Sequence, residues 1–244
     1  MTAATVEPIT NSKSPEAKRP CTIYLVRHGR TVLNVEVRYR GRLEIPLDER
    51  GRKEAWVTAH ALGAVRPEAV YTSPLSRARE VAAAISSVTG SPVTQNPGLL
   101  NLDYGDWEGL TKAECARRDP ELWRSYRESP EDAVCPRGEA LADAADRVVA
   151  ALCRIGEEHP GAAVAAVTHG VMVRLAVLRA APERGGDWEV HLPTGSSAVF
   201  QVQGGVLSLV ALPGEGAAAT VEPLRVVPAL RGPDPIPWLR VAAS

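Results

Sequence analysis

Two histidine–glycine pairs, each directly after a short apolar segment, constrain the fold of this chain most strongly. The first pair begins at His28, after Cys21–Val26, and the second begins at His169, after Ala162–Val167. A wholly apolar run such as the second is typical of a strand buried on both faces of a parallel sheet. Because ligands lie outside the carboxyl ends of strands in such sheets, we expect both histidines to face one crevice.

The rest of the chain alternates between strand-like and helix-like stretches. Hydrophobic periodicity predicts helices and a further strand in this order: helix Glu49–Val65, strand Ala69–Thr72, helix Ser76–Val88, a helix from Glu139 to about His159, and helix Met172–Arg179. Gly204-Gly205 is a tight-turn signal and predicts antiparallel strands at Ala198–Val202 and Val206–Leu212. The pattern predicts the α/β class, with a three-layer α/β/α sandwich around a mostly parallel central sheet.

Composition along the chain predicts one folded domain with polar ends. Residues 1–20 are too polar to bury much surface and are expected to form a disordered leader. The domain is expected to span 21–212, with a lid-like insertion at about 97–136, where periodicity weakens and Thr111 and Glu114 form a predicted capping box. Residues 213–244 are expected to form a C-terminal tail of undetermined role.

Charge and cysteine usage exclude several classes of function. The 28 basic and 29 acidic residues leave a net charge of -1, so no global field attracts nucleic acid or an anionic membrane. The four cysteines lack the C-x-x-C spacing of a metal site, and no apolar run is long enough to span a bilayer. We expect a cytoplasmic protein with a small-molecule partner, whose oligomeric state the sequence does not determine.

A third strand end adds a cation to the predicted crevice. Ser76 is a plausible helix N-cap, which places Arg77 in the first helical turn, where a cation opposes the helix dipole unless an anion is bound. Arg27 lies at the end of the first strand, and Gly29 would let backbone approach a bound group closely. Two arginines and two histidines at strand ends and helix N-termini form the pocket that a phosphate dianion requires.

Together with further motifs in the same order, these residues resemble the histidine phosphatase superfamily, which has the phosphoglycerate-mutase-like fold. The resemblance covers about residues 21–212 and rests on these motifs: Arg27-His28-Gly29, Asn34, Arg38, Gly41, Ser73-Pro74-Leu75-Ser76-Arg77-Ala78, Tyr104-Gly105-Asp106-Trp107-Glu108-Gly109, Pro136-Arg137-Gly138-Glu139 and Thr168-His169-Gly170.

The resemblance implies that His28 attacks phosphorus and that the resulting phosphohistidine is hydrolysed. Arg27, Arg77 and His169 would hold the phosphoryl oxygens, whose charge is spread in the transition state, and no metal or cofactor is expected because these groups supply the compensating charge. The candidate substrate-binding residues are Thr31, Asn34, Arg38, Asn101 and Gly170.

The expected proton donor is the point at which this sequence departs from the family. The family carries a glutamate four residues before the glycine of its Tyr/Phe-Gly motif, and that position here is Asn101. An amide cannot donate a titrating proton, so Asp103 is the tentative acid. Alternatively, the leaving group needs little protonation, or the chain binds phosphate without catalysis. Arg30, Arg38, Arg40 and Arg42 could form a basic rim, although each alone is interpreted as a solvated side chain.

The leading hypothesis is a metal-independent phosphatase that hydrolyses a phosphomonoester of a small metabolite, such as a sugar phosphate or nucleotide. The alternative is a phosphohistidine or phosphoramidate phosphatase, or a non-catalytic phosphate-binding relative. A phosphomutase is disfavoured because the longer substrate segment of the dedicated mutases is absent after the Tyr-Gly motif.

Overall fold

A computed structural model describes residues 19–182 and 190–215. Most of the predicted leader and tail therefore lie outside the described residues. The helices and strands, in chain order, are β1 Cys21–Arg27, α1 Val32–Val35, α2 Glu49–Val65, β2 Val70–Thr72, α3 Ser76–Thr89, β3 Val93–Gln95, α4 Lys112–Arg118, α5 Pro120–Glu128, α6 Leu141–Glu158, β4 Ala163–Thr168, α7 Gly170–Ala180, β5 Ser197–Gln203 and β6 Val206–Ala211.

The strands form one six-stranded sheet in the order β3-β2-β4-β1-β5-β6. The first four pair in parallel, whereas β5 runs antiparallel to β1 and β6 antiparallel to β5. This arrangement confirms the predicted mostly parallel sheet and the late hairpin. It places β1 and β4 side by side at the centre of the sheet.

Alternating side chains of β1 divide the core between the two faces of the sheet. Ile23 and Leu25 belong to the apolar cluster that contains the buried residues of α6 and α7. Val26 belongs to the cluster that contains those of α2 and α3. Successive strand residues point to opposite faces, so each helix pair covers one face and the predicted three layers are present.

The segment between β3 and α6 covers one end of the sheet with short helices. Thr111 and Glu114 form the predicted capping box at the start of α4, in which the Glu114 backbone N–H donates to the Thr111 hydroxyl at 3.2 Å. Trp107 is fully buried, and its indole N–H donates to Asp119 at 2.7 Å. The segment is thus a packed part of the domain core, connected by capping and aromatic contacts.

None of the helices within the described ranges is long and apolar enough to cross a membrane.

Candidate active site

The two predicted histidines lie side by side just beyond the carboxyl ends of β1 and β4. The parallel register pairs Arg27 with Thr168, so His28 and His169 follow directly. The backbone N–H of His28 donates to the Thr168 carbonyl at 3.0 Å. The two imidazole ring centroids are 5.2 Å apart with an interplanar angle of 62°. The sheet itself sets the spacing of the two histidines.

His28 is a buried, neutral histidine whose tautomer follows from its hydrogen bond. Its Nδ1 lies 2.6 Å from the carbonyl oxygen of Gly29, which can only accept, so Nδ1 carries the proton. Burial, followed by the charges of Arg77, Arg40 and Arg27, holds the pKa of His28 well below its usual value. Nε2 therefore has a free lone pair, as a nucleophile needs.

His169 is equally buried and has one unpartnered ring nitrogen. Its Nε2 lies 2.8 Å from the Ser73 hydroxyl, while its buried Nδ1 has no hydrogen-bond partner among the described residues. Burial and, next, the charge of Arg77 lower the pKa of His169 well below its usual value. An unsatisfied buried nitrogen is costly in a protein interior, and a bound ligand would satisfy it.

Arg27 packs its guanidinium between α7 and the segment before β5. One terminal nitrogen donates to the Leu192 carbonyl, and its Nε is buried without a partner in the described chain. Burial, followed by the charges of Arg40 and Arg174, lowers the pKa of Arg27 to about 9. A Cβ on Gly170 would lie 3.1 Å from the Arg27 Nε, so Gly170 leaves the space that this guanidinium occupies.

Arg77 is fully buried, but not for the reason that the sequence indicated. The N-cap of α3 is Leu75, which makes no side-chain cap, and the prediction that Ser76 is the cap was wrong. The Arg77 guanidinium donates to the carbonyls of Leu43 and Gly41 at 2.7 Å each. Burial lowers its pKa to about 10, and its Nε stays buried and unpartnered within the described ranges.

Gly29 is required by packing against the start of α2, and the close approach to a ligand expected of it stays a prediction. A Cβ at this position would overlap the backbone carbonyl of Gly51 near the start of α2. Gly51 in turn faces the Arg30 backbone, so neither position tolerates a side chain without movement. The contact fixes the turn that follows His28 against α2.

A cavity of about 420 Å³ opens beside the two histidines. Its lining residues are Arg27, His28, Asn34, Val37, Arg38, Tyr39, Arg40, Asn101, Tyr104, Lys112, Tyr126, Arg127, His169, Gly170, Val171 and Arg174. Six of these carry a fixed positive charge, and none of the described lining residues is an aspartate or glutamate. Such a lining favours an anionic ligand.

The predicted substrate-binding residues are only partly brought together. Asn34 lines the cavity, but its Oδ1 accepts from the backbone N–H and hydroxyl of Thr31 at 2.9 Å each, which leaves its amide N–H groups as donors. Thr31 itself is buried behind Asn34 and does not line the cavity. Arg38 lines it while its guanidinium contacts Glu36 at 2.9 Å and Glu114 at 3.1 Å.

Asn101 lies in the cavity wall, whereas Asp103 does not. The Asn101 amide N–H donates to the Gly41 carbonyl at 3.0 Å, and its Oδ1 is buried and unpartnered in the described region. Asp103 Oδ1 accepts from the Gly105 N–H at 2.9 Å, and its Oδ2 lies 3.4 Å from the Arg42 guanidinium. The tentative acid is therefore occupied in capping a turn outside the cavity.

Two other motif carboxylates are also bound by local donors outside the cavity. Glu108 accepts from the Arg42 N–H at 2.7 Å, and burial raises its pKa. Glu139 receives the guanidinium of Arg147 at 2.9 and 2.8 Å. Both carboxylates are thus engaged in contacts within the protein.

Arg40, Lys112 and Arg174 line the cavity but were missed or undervalued from the sequence. Arg40, interpreted as a solvated rim residue, lines the cavity with a buried and, among the described residues, unpartnered Nε. Arg174 lies one helical turn after Gly170 in α7 and faces the same cavity. The i, i+4 spacing from Gly170 was a signal that could have identified Arg174. Arg40 follows Arg38 by two residues, the spacing of side chains on one side of an extended segment.

Aromatic rings form the wall beneath Arg40. Tyr39 and Tyr104 have ring centroids 4.5 Å apart, and the Tyr104 and Tyr126 hydroxyls are 3.1 Å apart. Burial raises the pKa of both Tyr104 and Tyr126 well above their usual value. These hydroxyls therefore stay protonated and act as neutral hydrogen-bonding groups.

The part of the chain that the structure describes contains no cluster of three or more histidine, cysteine or acidic side chains able to hold a metal ion.

This geometry agrees with what comparison with known proteins shows. A sequence model of the histidine phosphatase superfamily, branch 1, matches residues 23–213. The chain belongs to this superfamily.

Individual histidine phosphatase relatives are similar over most of the domain. The chain is 39% identical over 160 residues to the metal-independent phosphoserine phosphatase of Arabidopsis thaliana, covering 64% of this chain and 67% of the relative. The structure of Bacillus stearothermophilus YhfR superposes with a TM-score of 0.73 at 32% identity, covering 83% of this chain and all of that one. A mycobacterial glucosyl-3-phosphoglycerate phosphatase gives 0.67 at 26% identity, covering 75% and 91%.

Proposed function

We propose that this chain is a metal-independent phosphatase that hydrolyses phosphomonoesters of small metabolites, such as sugar phosphates or nucleotides, through a phosphohistidine on His28. The observation that carries the proposal is the state of His28, whose Nδ1–H is fixed by the Gly29 carbonyl and whose Nε2 lone pair is free. Beside it, five buried polar atoms have no partner among the described residues: Arg27 Nε, Arg40 Nε, Arg77 Nε, Asn101 Oδ1 and His169 Nδ1.

In the first chemical step, Nε2 of His28 attacks phosphorus in line with the leaving oxygen. The phosphoryl group develops charge on three equatorial oxygens, and Arg27 and Arg77 offer fixed donors to them. His169 offers a further hydrogen bond from its unpartnered Nδ1 when that nitrogen carries the proton. Asn34, with its amide N–H groups free of Thr31, donates to the same group.

In the second step, a water molecule attacks the phosphohistidine from the side that the leaving group has vacated. The N–P bond breaks, His28 regains its lone pair, and inorganic phosphate forms. The charge that a metal would otherwise balance is supplied by the arginines, and the name of the Arabidopsis relative, a metal-independent phosphatase, supports this part of the proposal.

A second candidate substrate, a phosphoramidate such as phosphohistidine, is favoured by one observation. Asn101 lies in the cavity wall where a carboxylate would be needed to protonate a basic leaving oxygen. When its other ring nitrogen carries a proton taken up from solvent, a phosphorylated imidazole departs as neutral imidazole, so its cleavage needs no acid from the protein. The four free cysteines are consistent with a reducing cytoplasm as the site of action.

Phosphate release from a panel of phosphorylated metabolites tests the proposal. His28→Asn should lower turnover by about 10³-fold or more, because the nucleophile is removed. His60→Asn is the matched control, since His60 is exposed on α2 and its ring Nδ1 bonds to the Trp56 carbonyl. Intact mass measured after rapid mixing with substrate should show an acid-labile phosphoryl adduct on the wild type. The His28→Asn protein should show none.

The panel also separates the alternatives. Phosphate binding without release from any substrate would overturn the phosphatase and leave a binding protein. Release from phosphohistidine but from no phosphoester would establish the second candidate. Equal turnover by wild type and His28→Asn would contradict both.

A further inference from the structure

We propose that Arg40 holds the departing oxygen as an anion in the part of the cavity where Asn101 stands in place of an acid, so the chain favours phosphoryl donors with weakly basic leaving oxygens. Aryl, enol and acyl phosphates and phosphoanhydrides belong to this class, whereas sugar phosphates and nucleoside monophosphates have basic alkoxide leaving groups and are expected to be slower substrates of the proposed phosphatase. The inference rests on the proposed attack by His28 and adds how the other end of the reaction is handled.

The described lining of the cavity lacks a carboxylic acid. No aspartate or glutamate is among the described lining residues, and the side chain of Asn101 cannot release a proton at any relevant pH. Asp103 is engaged by the Gly105 N–H and Glu108 by the Arg42 N–H, both outside the cavity.

Two buried tyrosines and the second histidine of the cavity do not replace that acid. Burial raises the pKa of the Tyr104 and Tyr126 hydroxyls, which makes them poorer proton donors than free tyrosine. Burial and neighbouring cations lower the pKa of His169, so it is neutral near pH 7. The Tyr104 and Tyr126 hydroxyls and His169 therefore do not supply a proton to a basic leaving oxygen.

Arg40 lines the same cavity as Arg27, His28 and His169. Its charge contributes to the lowered pKa of these three residues and of Arg77. Two long contacts engage one terminal nitrogen, at 3.4 and 3.5 Å from backbone carbonyls, and its Nε is unpartnered in the described chain. Arg40 is therefore a cation beside the proposed reaction centre, and its Nε–H is available to donate a hydrogen bond.

The backbone of Gly41 connects Arg40 to Asn101. The carbonyl of Gly41, the residue after Arg40, accepts from the Asn101 amide at 3.0 Å and from the Arg77 guanidinium at 2.7 Å. One peptide group thus joins the proposed leaving-group residues to the proposed phosphoryl clamp. A departing anion would meet a guanidinium there instead of a carboxyl group.

The reaction balances without an acid from the protein. Nε2 of His28 forms the bond to phosphorus as the phosphorus–oxygen bond breaks, and the leaving oxygen takes the electron pair and departs as an anion beside Arg40. Water then attacks phosphorus and the N–P bond of the phosphohistidine breaks. The product is dihydrogen phosphate, which carries both hydrogens of the water. His28 is returned neutral with its proton still on Nδ1.

The test is the dependence of kcat/KM on leaving-group basicity. A series of aryl phosphates with phenols of increasing pKa, extended by an alkyl phosphate, is assayed with the wild type, Arg40→Gln, Asn101→Glu and the exposed control Lys53→Gln. We expect the wild type to lose about 10²-fold or more from nitrophenyl to alkyl phosphate, the contribution usually made by a general acid.

The variants should change the slope in opposite directions. Asn101→Glu should raise turnover of the alkyl phosphate by about 10²-fold, with little effect on the nitrophenyl ester, because only the basic leaving oxygen needs a proton. Arg40→Gln should steepen the dependence, whereas damage to folding alone would lower all substrates equally. Lys53→Gln, in an exposed pair with Glu49, should match the wild type.

A flat dependence in the wild type, or an Arg40→Gln variant with an unchanged slope, would overturn the leaving-group site while leaving the phosphatase intact. Failure to hydrolyse any aryl phosphate, or full turnover by His28→Asn, would overturn the proposed function and this inference with it.

Discussion

At the scale of single residues, the state of His28 is set by its surroundings more than by its own chemistry. A histidine in water has a pKa near 6.5, but here burial disfavours the charged ring and three arginines repel it. The neutral form needed for attack is therefore maintained below the pH at which a free histidine becomes protonated. The same feature makes the folded protein sensitive to acid.

The direction of this effect on stability follows from proton linkage. As pH falls through about 6.5, the unfolded chain takes up a proton on His28 and the folded chain does not, so the free energy of unfolding falls. Each such histidine contributes up to about 1.4 kcal/mol per pH unit in this range. Urea unfolding at pH 7, 6 and 5 should show a smaller acid-induced loss for His28→Asn than for the wild type.

The exposed His60 provides the control for urea unfolding as a function of pH. His60→Asn should retain the acid-induced loss of the wild type, because its ring is at the surface of α2. An identical pH profile for the wild type and His28→Asn would show that His28 titrates normally.

The sequence predicted individual site residues where a motif coincided with a strand end. His28, His169 and Arg27 were brought to one place because parallel strands end at the same edge of the sheet. Arg40 and Arg174 were not identified as cavity residues, since a lone arginine in a loop or helix looks the same whether solvent or a cavity surrounds it. Side-chain engagement by distant carbonyls, as for Arg77, is equally invisible in a linear pattern.

At the scale of helices and strands, a close contact between two glycines holds the His28 turn to α2. A Cβ on Gly29 would overlap the Gly51 carbonyl, and helix α2 would have to move. Gly29→Ala should therefore lower the free energy of unfolding by about 1–3 kcal/mol, the usual cost of overpacking. Turnover should fall as well, because the Gly29 carbonyl that fixes the His28 tautomer would move.

Gly63→Ala is the matched control for this prediction. It lies near the carboxyl end of the same helix, where a Cβ would meet only Val88 Cγ1 at 3.2 Å. Alanine also gains up to about 1 kcal/mol of helix propensity over glycine, so this variant should be neutral or slightly more stable in urea unfolding. Equal unfolding curves for Gly29→Ala and the wild type would contradict the glycine contact.

Long elements with strong periodicity were predictable, and short ones were not. Helix α2 has the predicted ends, Glu49 and Val65, because its apolar face repeats over many turns. Strand β3, Val93–Gln95, is three residues long and exposed along its whole length, so it carries no apolar signal. Helix α1, Val32–Val35, is one turn with no buried residue and is fixed by the local bond between Thr31 and Asn34.

At the scale of the whole molecule, an almost neutral chain concentrates positive charge in one cavity. The net charge is -1, yet six cations line the cavity without an acidic neighbour among the described lining residues. Burial and, next, repulsion from neighbouring arginines lower the pKa of Arg27 and Arg77. The folded state is therefore less stable without an anion than with one.

Anion binding should consequently stabilise the protein. Removal of one cavity cation should give part of the same stabilisation. Inorganic phosphate at about 100 times its Kd should add about 2.7 kcal/mol to the free energy of unfolding, seen as a higher Tm. Arg40→Gln should raise the Tm without phosphate and reduce the phosphate-induced increase, while Lys53→Gln should behave as the wild type. If the Tm of Arg40→Gln in phosphate-free buffer is lower than that of the wild type, repulsion among the cavity cations does not destabilise the folded state.

The hydrogen-bonded pairing of β1 with β4 has a further consequence for how such a protein can be altered. His28, the nucleophile we propose, and His169 are spaced by a sheet ladder, whereas Asn101, Lys112 and Arg127 reach the cavity from the segment between β3 and α6. The proposed nucleophile and these three lining residues thus belong to separate stretches of chain. Exchanging that segment between relatives is a route to new substrate ranges in which the nucleophile need not be rebuilt.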